Sequence, residues 1–414
     1  MRNDIINNID NPEQLEKLYR ANKLIFKREF NLVFPDIQET TTARIWKERL
    51  NFESEEISWG TNKELIFVIL ASFVAGIIAK IPEFTSLDPE YFYPRNITFV
   101  VFPLLTAYFA WKQKVRTKKL IIVSLAVLVS AIYINLLPNN DKSDTLILAF
   151  IHLPLILWAI LGFTFVGGKL NNYQKRLEFL RYNGDLVVMT TILLIAGGLM
   201  TGITLGLFEL LDLSIEEFYF EYIAIWGLAA SPIVGTYLVR TNPQLVNKVS
   251  PVIAKVFTPL LLIMLVIYLF AVIFTGKDPY NDREFLLIFN VLLIGVMAII
   301  LFSIAETSKN SDNKIGALAL LGLSTVTIIV NGIALSAIVF RISEWGITPN
   351  RLAVLGGNIL ILSNLLIVTF RQFQAIKDHS KVEKVENSIA FFLPIYIVWA
   401  ILVTFVFPIL FNFE

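Results

Sequence analysis

The sequence predicts an all-α polytopic membrane protein: about eleven transmembrane helices in a bundle, preceded by a small helical prefix in the cytosol. Three observations carry this. Of 414 residues, 56% are hydrophobic and 17% charged, whereas a soluble domain is about a quarter charged. The apolar residues gather into stretches that reach or approach the roughly 20 needed to cross a hydrocarbon core. Finally, the Lys and Arg content of the connecting segments rises and falls in strict alternation.

Residues 1–64 form the prefix and 65–414 the bundle. The prefix carries ten Lys/Arg and twelve Asp/Glu, unlike a secretory signal peptide. Asn11-Pro12-Glu13-Gln14 is a helix start, with Asn as cap and Pro in the first turn. That helix is expected to run towards Phe34 and end at Pro35. A second, near Thr42–Leu50, presents Ile45, Trp46 and Leu50. The plain reading is an amphipathic pair that caps the fold at the membrane surface; the functional one is a docking site for a protein partner.

The spans follow as Leu65–Ile81, Ile97–Trp111, Leu120–Leu137, Thr145–Gly168, Leu186–Leu211, Tyr219–Val239, Val252–Gly276, Phe285–Glu306, Ile315–Ile342, Ala353–Gln372 and Ser388–Phe413. They are apolar all round and lack the period-two alternation of a barrel strand, so they are expected to be helices with internally satisfied backbones. The loops after even-numbered spans hold seventeen Lys and Arg, those after odd-numbered spans six. Positive charge is retained in the cytoplasm. The N-terminus is therefore expected inside and Glu414 outside.

Cysteine is absent, which excludes disulfides, thiolate metal sites and cysteine nucleophiles. A net charge of +1 gives no reason to expect a nucleic-acid partner. Membrane lipids are the expected surroundings, and the basic clusters Lys112–Lys119 and Lys169–Arg181 suit anionic headgroups as well as topology. No metal or cofactor pattern is present, and no nucleophile–base pair or phosphate loop.

Gly198, Gly202 and Gly206 recur every four residues in the fifth span, a small-residue ridge suited to close helix packing. Gly227, Ser231 and Gly235, and Gly332 with Ser336, do the same elsewhere. Pro103, Pro154, Pro232, Pro259 and Pro394 fall inside spans, where each removes a backbone donor and favours a kink.

Polar residues inside spans point to function because they are costly there. No Asp, Glu, Lys or Arg falls near a span centre. His152, Asn290, Asn331, Asn358 and Asn364 lie deeper, while Lys80, Glu209, Glu221 and Arg341 sit at outer ends. An outward-facing vestibule with His152, Asn290 and Asn358 at its floor is one reading; interhelical glue is the other. The Asp278–Glu284 and Asp88–Glu90 loops offer carboxylates for a cation or acid/base work, and are explained equally by turn formation.

The segment Arg341-Ile342-Ser343-Glu344-Trp345-Gly346-Ile347-Thr348-Pro349-Asn350-Arg351 resembles the signature of the domain-of-unknown-function 4153 family, bacterial polytopic membrane proteins. The resemblance implies a bacterial cytoplasmic (inner) membrane location and a helix bundle, and carries no activity. Physically, Thr348-Pro349 caps and starts a helix, while Arg341 and Arg351 bracket the turn, within reach of Glu344 or the Asp278–Glu284 carboxylates. Three functional classes fit: a permease-like carrier or flippase, favoured by the span count and glycine-rich face; a lipid- or glycan-modifying enzyme using the outer loops; and a scaffold using the prefix. The short external loops weigh against the enzyme.

Overall fold

The computed structural model describes residues 2–21, 23–52, 60–140, 142–169, 172–209, 214–245, 258–263, 265–267, 269–270, 280, 283–307, 314–378 and 381–414. Among them every regular element is helical. The chain divides into two compact units, Met1–Trp59 and Gly60–Glu414.

The first unit holds α1 (Arg2–Asn7), α2 (Pro12–Ala21), α3 (Lys23–Ile37) and α4 (Thr41–Phe52). Asn11 accepts a hydrogen bond from Gln14 N at 3.2 Å, as a cap does. Over the expected helix from Pro12 to Phe34 the described residues are helical on both sides of position 22, and Pro35 lies inside α3 rather than ending it. Leu15, Tyr19, Phe26, Phe30, Val33, Trp46 and Leu50 close over one another as a small core. Trp46 and Leu50, expected on a presented face, are thus spent internally; Ile45 alone of that trio is exposed.

The second unit begins with α5 (Asn62–Ala79), α6 (Ile81–Phe84), α7 (Pro89–Lys112), α8 (Thr117–Leu136), α9 (Asp144–Phe165) and α10 (Tyr173–Glu209). It continues with α11 (Glu216–Thr241), α12 (Thr258–Ile267), α13 (Arg283–Thr307), α14 (Lys314–Trp345), α15 (Pro349–Lys377) and α16 (Val382–Leu410). Among the described residues eight of these, α5, α8, α9, α10, α11, α14, α15 and α16, are long and apolar enough to cross a membrane. The chain is a multi-pass helical membrane protein. The second expected span is the helix α7, whose Pro94, Arg95, Asn96 and Pro103 dilute its apolarity. The seventh lies largely outside the described residues. The eighth is α13, whose described apolar part is Leu293–Ala305.

Helix starts follow local chemistry. Thr61, Asp88, Ser143 and Thr348 each accept a hydrogen bond from a first-turn backbone N–H, and Pro89 and Pro349 occupy the first helical positions. At the end of α14, Gly346 takes φ +76°, a conformation that suits a residue without Cβ.

Two of the prolines have their freed carbonyls taken by side chains. Pro232 cannot donate to Leu228, whose oxygen accepts instead from Ser231 Oγ at 2.9 Å. Pro394 cannot donate to Ala390, whose oxygen accepts from the Arg176 guanidinium on α10 at 2.9 Å. In lipid such groups have no water to turn to. Within α11 and α16 the backbone passes through π-helical turns at Phe220–Ala224 and Leu402–Val406, which no sequence pattern announced.

Close helix approaches occur where an aromatic ring lies on a glycine. A Cβ on Gly76 would meet the Trp226 ring at 2.3 Å, one on Gly184 would meet Phe302 at 1.8 Å, and one on Gly356 would meet Trp399 at 2.0 Å. These contacts join α5 to α11, α10 to α13 and α15 to α16. A Cβ on Gly235 of α11 would meet the Thr190 hydroxyl of α10 at 2.8 Å. A Cβ on Gly198, Gly202, Gly227 or Gly332 would meet nothing within 4 Å. No described side chain of this chain lies on Gly198 or Gly202; Gly206 has no described side-chain surroundings.

Candidate functional site

Several polar groups of the N-terminal helices sit at helix ends and are paired. Glu64, at the start of α5, accepts the Tyr108 hydroxyl proton and pairs with Lys112 at 2.9 Å, both from α7. At the opposite end Lys80 is 1% exposed, donates to Glu221 O at 2.7 Å, pairs with Glu83 and lies 4.3 Å from the Tyr222 ring. Asn96 and Asn135 exchange two hydrogen bonds of 2.9 Å between α7 and α8. Such pairs fix helix ends against one another.

The C-terminal helices differ. Helices α14 and α15 form an antiparallel hairpin, joined by residues 346–348 only. At about 1.5 Å per residue, Asn331 lies about 21 Å before the end of α14 and Asn364 about 22 Å after the start of α15. The two asparagines therefore stand at the same depth, near the middle of helices 32 and 29 residues long. Both are wholly buried. Asn364 Nδ2 donates to Tyr396 of α16 at 3.0 Å, while its Oδ1 accepts nothing among the described residues. Asn331 is barer: neither its Nδ2 nor its Oδ1 has a partner there. Ser324 and Thr327, two turns and one turn away on the same stripe of α14, bond their own helix carbonyls at 2.9 and 2.6 Å. An asparagine can donate to the carbonyl four residues back, as Asn96, Asn135 and Asn183 do, but Asn331 makes no such bond, and an unsatisfied buried amide costs about 1–3 kcal/mol.

Further polar groups continue the seam in both directions. Towards the 346–348 turn, Asn358 donates to Asn290 of α13 at 2.7 Å. Towards the other end, Gln372 lies two heptads beyond Asn358 on α15, is 6% exposed and leaves both amide atoms unpartnered among the described residues. There too Arg181 of α10 reaches Glu386 of α16 at 3.4 Å and the Ala305 carbonyl of α13. The Trp399 ring covers Gly356 beside the seam, with its Nε1–H buried and unpartnered among the described residues.

Of the vestibule expected from the sequence, Asn290 and Asn358 do meet. His152 is half-buried on α9, and its Nδ1 lies 2.8 Å from Leu148 O of its own helix. Arg341 donates to Tyr280 O at 2.8 Å. Arg351 donates to the carbonyls of Trp345 and Gly346 at 2.9 and 2.7 Å, tying the turn shut. Glu344 is exposed; Thr348 caps α15, Pro349 begins it and Asn350 follows, half-buried. Glu221 contributes its backbone carbonyl to Lys80. The Glu209 side chain and the carboxylates of Asp278, Asp282 and Glu284 lie outside the described residues. Asp88 serves as the α7 cap.

Sequence reading placed Asn331 and Asn364 deep but did not single them out, nor Gln372 and Tyr396. Their shared depth across a hairpin with a three-residue turn was the available signal. The fold and this seam define a multi-pass helical membrane protein whose described C-terminal interior is polar but uncharged at mid-depth. No protein family matches the chain, and no curated protein or solved structure is significantly similar to it.

Proposed function

We propose that the chain is a permease-like carrier or flippase, whose path for a small polar or lipidic solute follows the seam between α13, α14, α15 and α16. The observation that carries this is Asn331, a wholly buried amide at mid-membrane depth with no described partner for either polar atom. A transport path needs hydrogen-bonding groups that a passing solute or water can satisfy, and Asn331, Asn364 and Tyr396 offer both donors and acceptors. Their neutrality suits a solute recognised by hydrogen bonds rather than by charge.

The eleven-span topology belongs to the same reading. Polar contacts join helix ends that the loop charges put on one side: Lys80 with Glu221, Asn96 with Asn135, Arg341 with Tyr280, Thr145 with Glu414. The signature resemblance would place the protein in a bacterial cytoplasmic membrane.

The natural absence of cysteine gives a direct test without a known substrate. Asn331→Cys, Asn358→Cys and Asn364→Cys are made singly and treated in membrane vesicles with an impermeant thiol reagent. A water-accessible path predicts labelling at two or more of these positions, and none at Ile329→Cys, whose side chain faces outward. Failure of all three to react from either face would remove the path.

A further inference from the structure

Where α15 ends and α16 begins, a groove of about 430 Å³ opens between them and the start of α10. Its lining divides sharply by depth. Arg371 of α15 and Lys384 of α16 face it near the helix ends, with Tyr173 and Ser388 beside them. Ile367 lies one turn further in on α15, about 6 Å deeper, and Phe391 two turns further in on α16, about 10 Å deeper. Both are outward-facing, at 43% and 54% exposure.

The cations are not committed elsewhere. Among the described residues neither Arg371 nor Lys384 forms an ion pair; Arg371 has a 3.4 Å hydrogen bond to Gln374 Oε1. The neighbouring carboxylates have other partners, Asp378 with Lys381 at 3.3 Å and Glu386 with Arg181 at 3.4 Å. Lys384, Ser388 and Phe391 recur at helical spacing on one face, whereas Glu383 is turned about 100° away from Lys384.

We propose that this groove binds an anionic phospholipid, its phosphate between Arg371 and Lys384, its headgroup hydroxyls against Tyr173 and Ser388, and an acyl chain along Ile367 and Phe391. A soluble phosphoester would use the cations alone. The apolar wall beginning one turn deeper, on the membrane-facing surface, is what a lipid adds. Basic pockets between helices at headgroup depth are a recurrent form of lipid recognition. The site is separate from the polar seam and stands whether or not that seam conducts a solute.

The test is native mass spectrometry of the full-length protein, purified in detergent and mixed with phosphatidylglycerol, phosphatidylcholine or inorganic phosphate. The parent is expected to retain phosphatidylglycerol over phosphatidylcholine. Arg371→Gln and Lys384→Gln should each cut that preference about fivefold, and Arg371→Lys should restore most of it. Phe391→Ser, which leaves both charges, should weaken retention of either lipid in this site. A Lys142→Gln control, with equal charge loss on the exposed α8–α9 loop, should retain the preference. The proposal is overturned by equal retention of the two lipids, by loss of preference in the control to the same degree as in the groove variants, or by inorganic phosphate displacing the lipid at equimolar concentration.

Discussion

Replacing Gly356 by alanine tests the packing of the C-terminal helices at one atom. The new Cβ would stand 2.0 Å from Trp399 Cζ2 and 2.2 Å from Cη2, where ordinary contact begins at 3.4 Å. The ring must therefore retreat by about 1.4 Å, or α15 and α16 must part by as much. Neither is easy. Trp399 is edge-on to Phe407 at 5.9 Å and packs against a small core of Leu148, Ala353, Val403 and Phe407 that joins α9, α15 and α16. Overpacking of this kind costs about 1–3 kcal/mol.

Gly198→Ala is the matched control. Its Cβ would meet nothing within 4 Å, and removing a helix glycine is neutral or favourable by up to about 1 kcal/mol. Both variants are heated in the same detergent and the monodisperse fraction is followed by gel filtration. Gly356→Ala should lose several degrees and Gly198→Ala none. Adding Trp399→Leu to Gly356→Ala should recover part of the loss, with a coupling of about 0.5–3 kcal/mol. If Gly198→Ala falls further than Gly356→Ala, or Trp399→Leu recovers nothing, the ring-on-glycine account is wrong.

Three further outcomes are expected. Asn290→Leu or Asn358→Leu alone should destabilise the bundle by about 1–2 kcal/mol, since each removes the hydrogen bond that joins α13 to α15, while the double replacement should cost less than the sum of the singles; thermal denaturation of all four proteins measures this. Gly346→Ala should cost about 1–2 kcal/mol through its φ of +76° alone, nothing being within 4 Å, and Gly346→Asn, which tolerates that region, should cost less in the same assay. In the prefix, hydrogen bonds from Arg20 and then Arg49 hold the Glu16 carboxyl below the ordinary glutamate range. A depressed carboxyl stabilises the fold fully above its unfolded value and loses that contribution as pH falls through the folded one. Glu16 is partly exposed, so the loss in going to acid should be modest, ~0.2–1 kcal/mol per pair, and a pH series on Glu16→Gln should lack it.

What the sequence made legible is what depends on position along a helix. The Thr61, Asp88, Ser143 and Thr348 caps were local chemistry. The Asn290–Asn358 pair shared a depth on two helices, and the carbonyls freed at Pro232 and Pro394 were fixed by a missing N–H. What it hid is what depends on rotation about the helix axis and on which helix lies alongside. Gly198 and Gly202 keep the periodicity of a packing ridge, yet no described side chain lies on them. The bulky residues that mark real approaches, Trp226 on Gly76, Phe302 on Gly184 and Trp399 on Gly356, come from 43 to 150 positions away. The prefix erred for the same reason: Trp46 and Leu50 read as presented because the core they fill is built from α2 and α3.

Depth and rotation also explain why the seam was half visible. In a hairpin with a three-residue turn, depth is set by counting from the turn, and Asn331 and Asn364 count to the same level. Their burial was not countable, because the stripe of α14 that carries Ser324, Thr327 and Asn331 could have faced lipid. Ser and Thr would tolerate lipid by bonding their own helix, as these two do. Asn331 makes no such bond, although Asn96, Asn135 and Asn183 each donate to the carbonyl four residues back, so as placed it would leave donors and acceptor unsatisfied in hydrocarbon. The neutral, unbranched amide on a stripe of self-satisfied hydroxyls is thus the residue that orients α14 inward. Its burial without a described partner is the observation on which the proposed solute path rests.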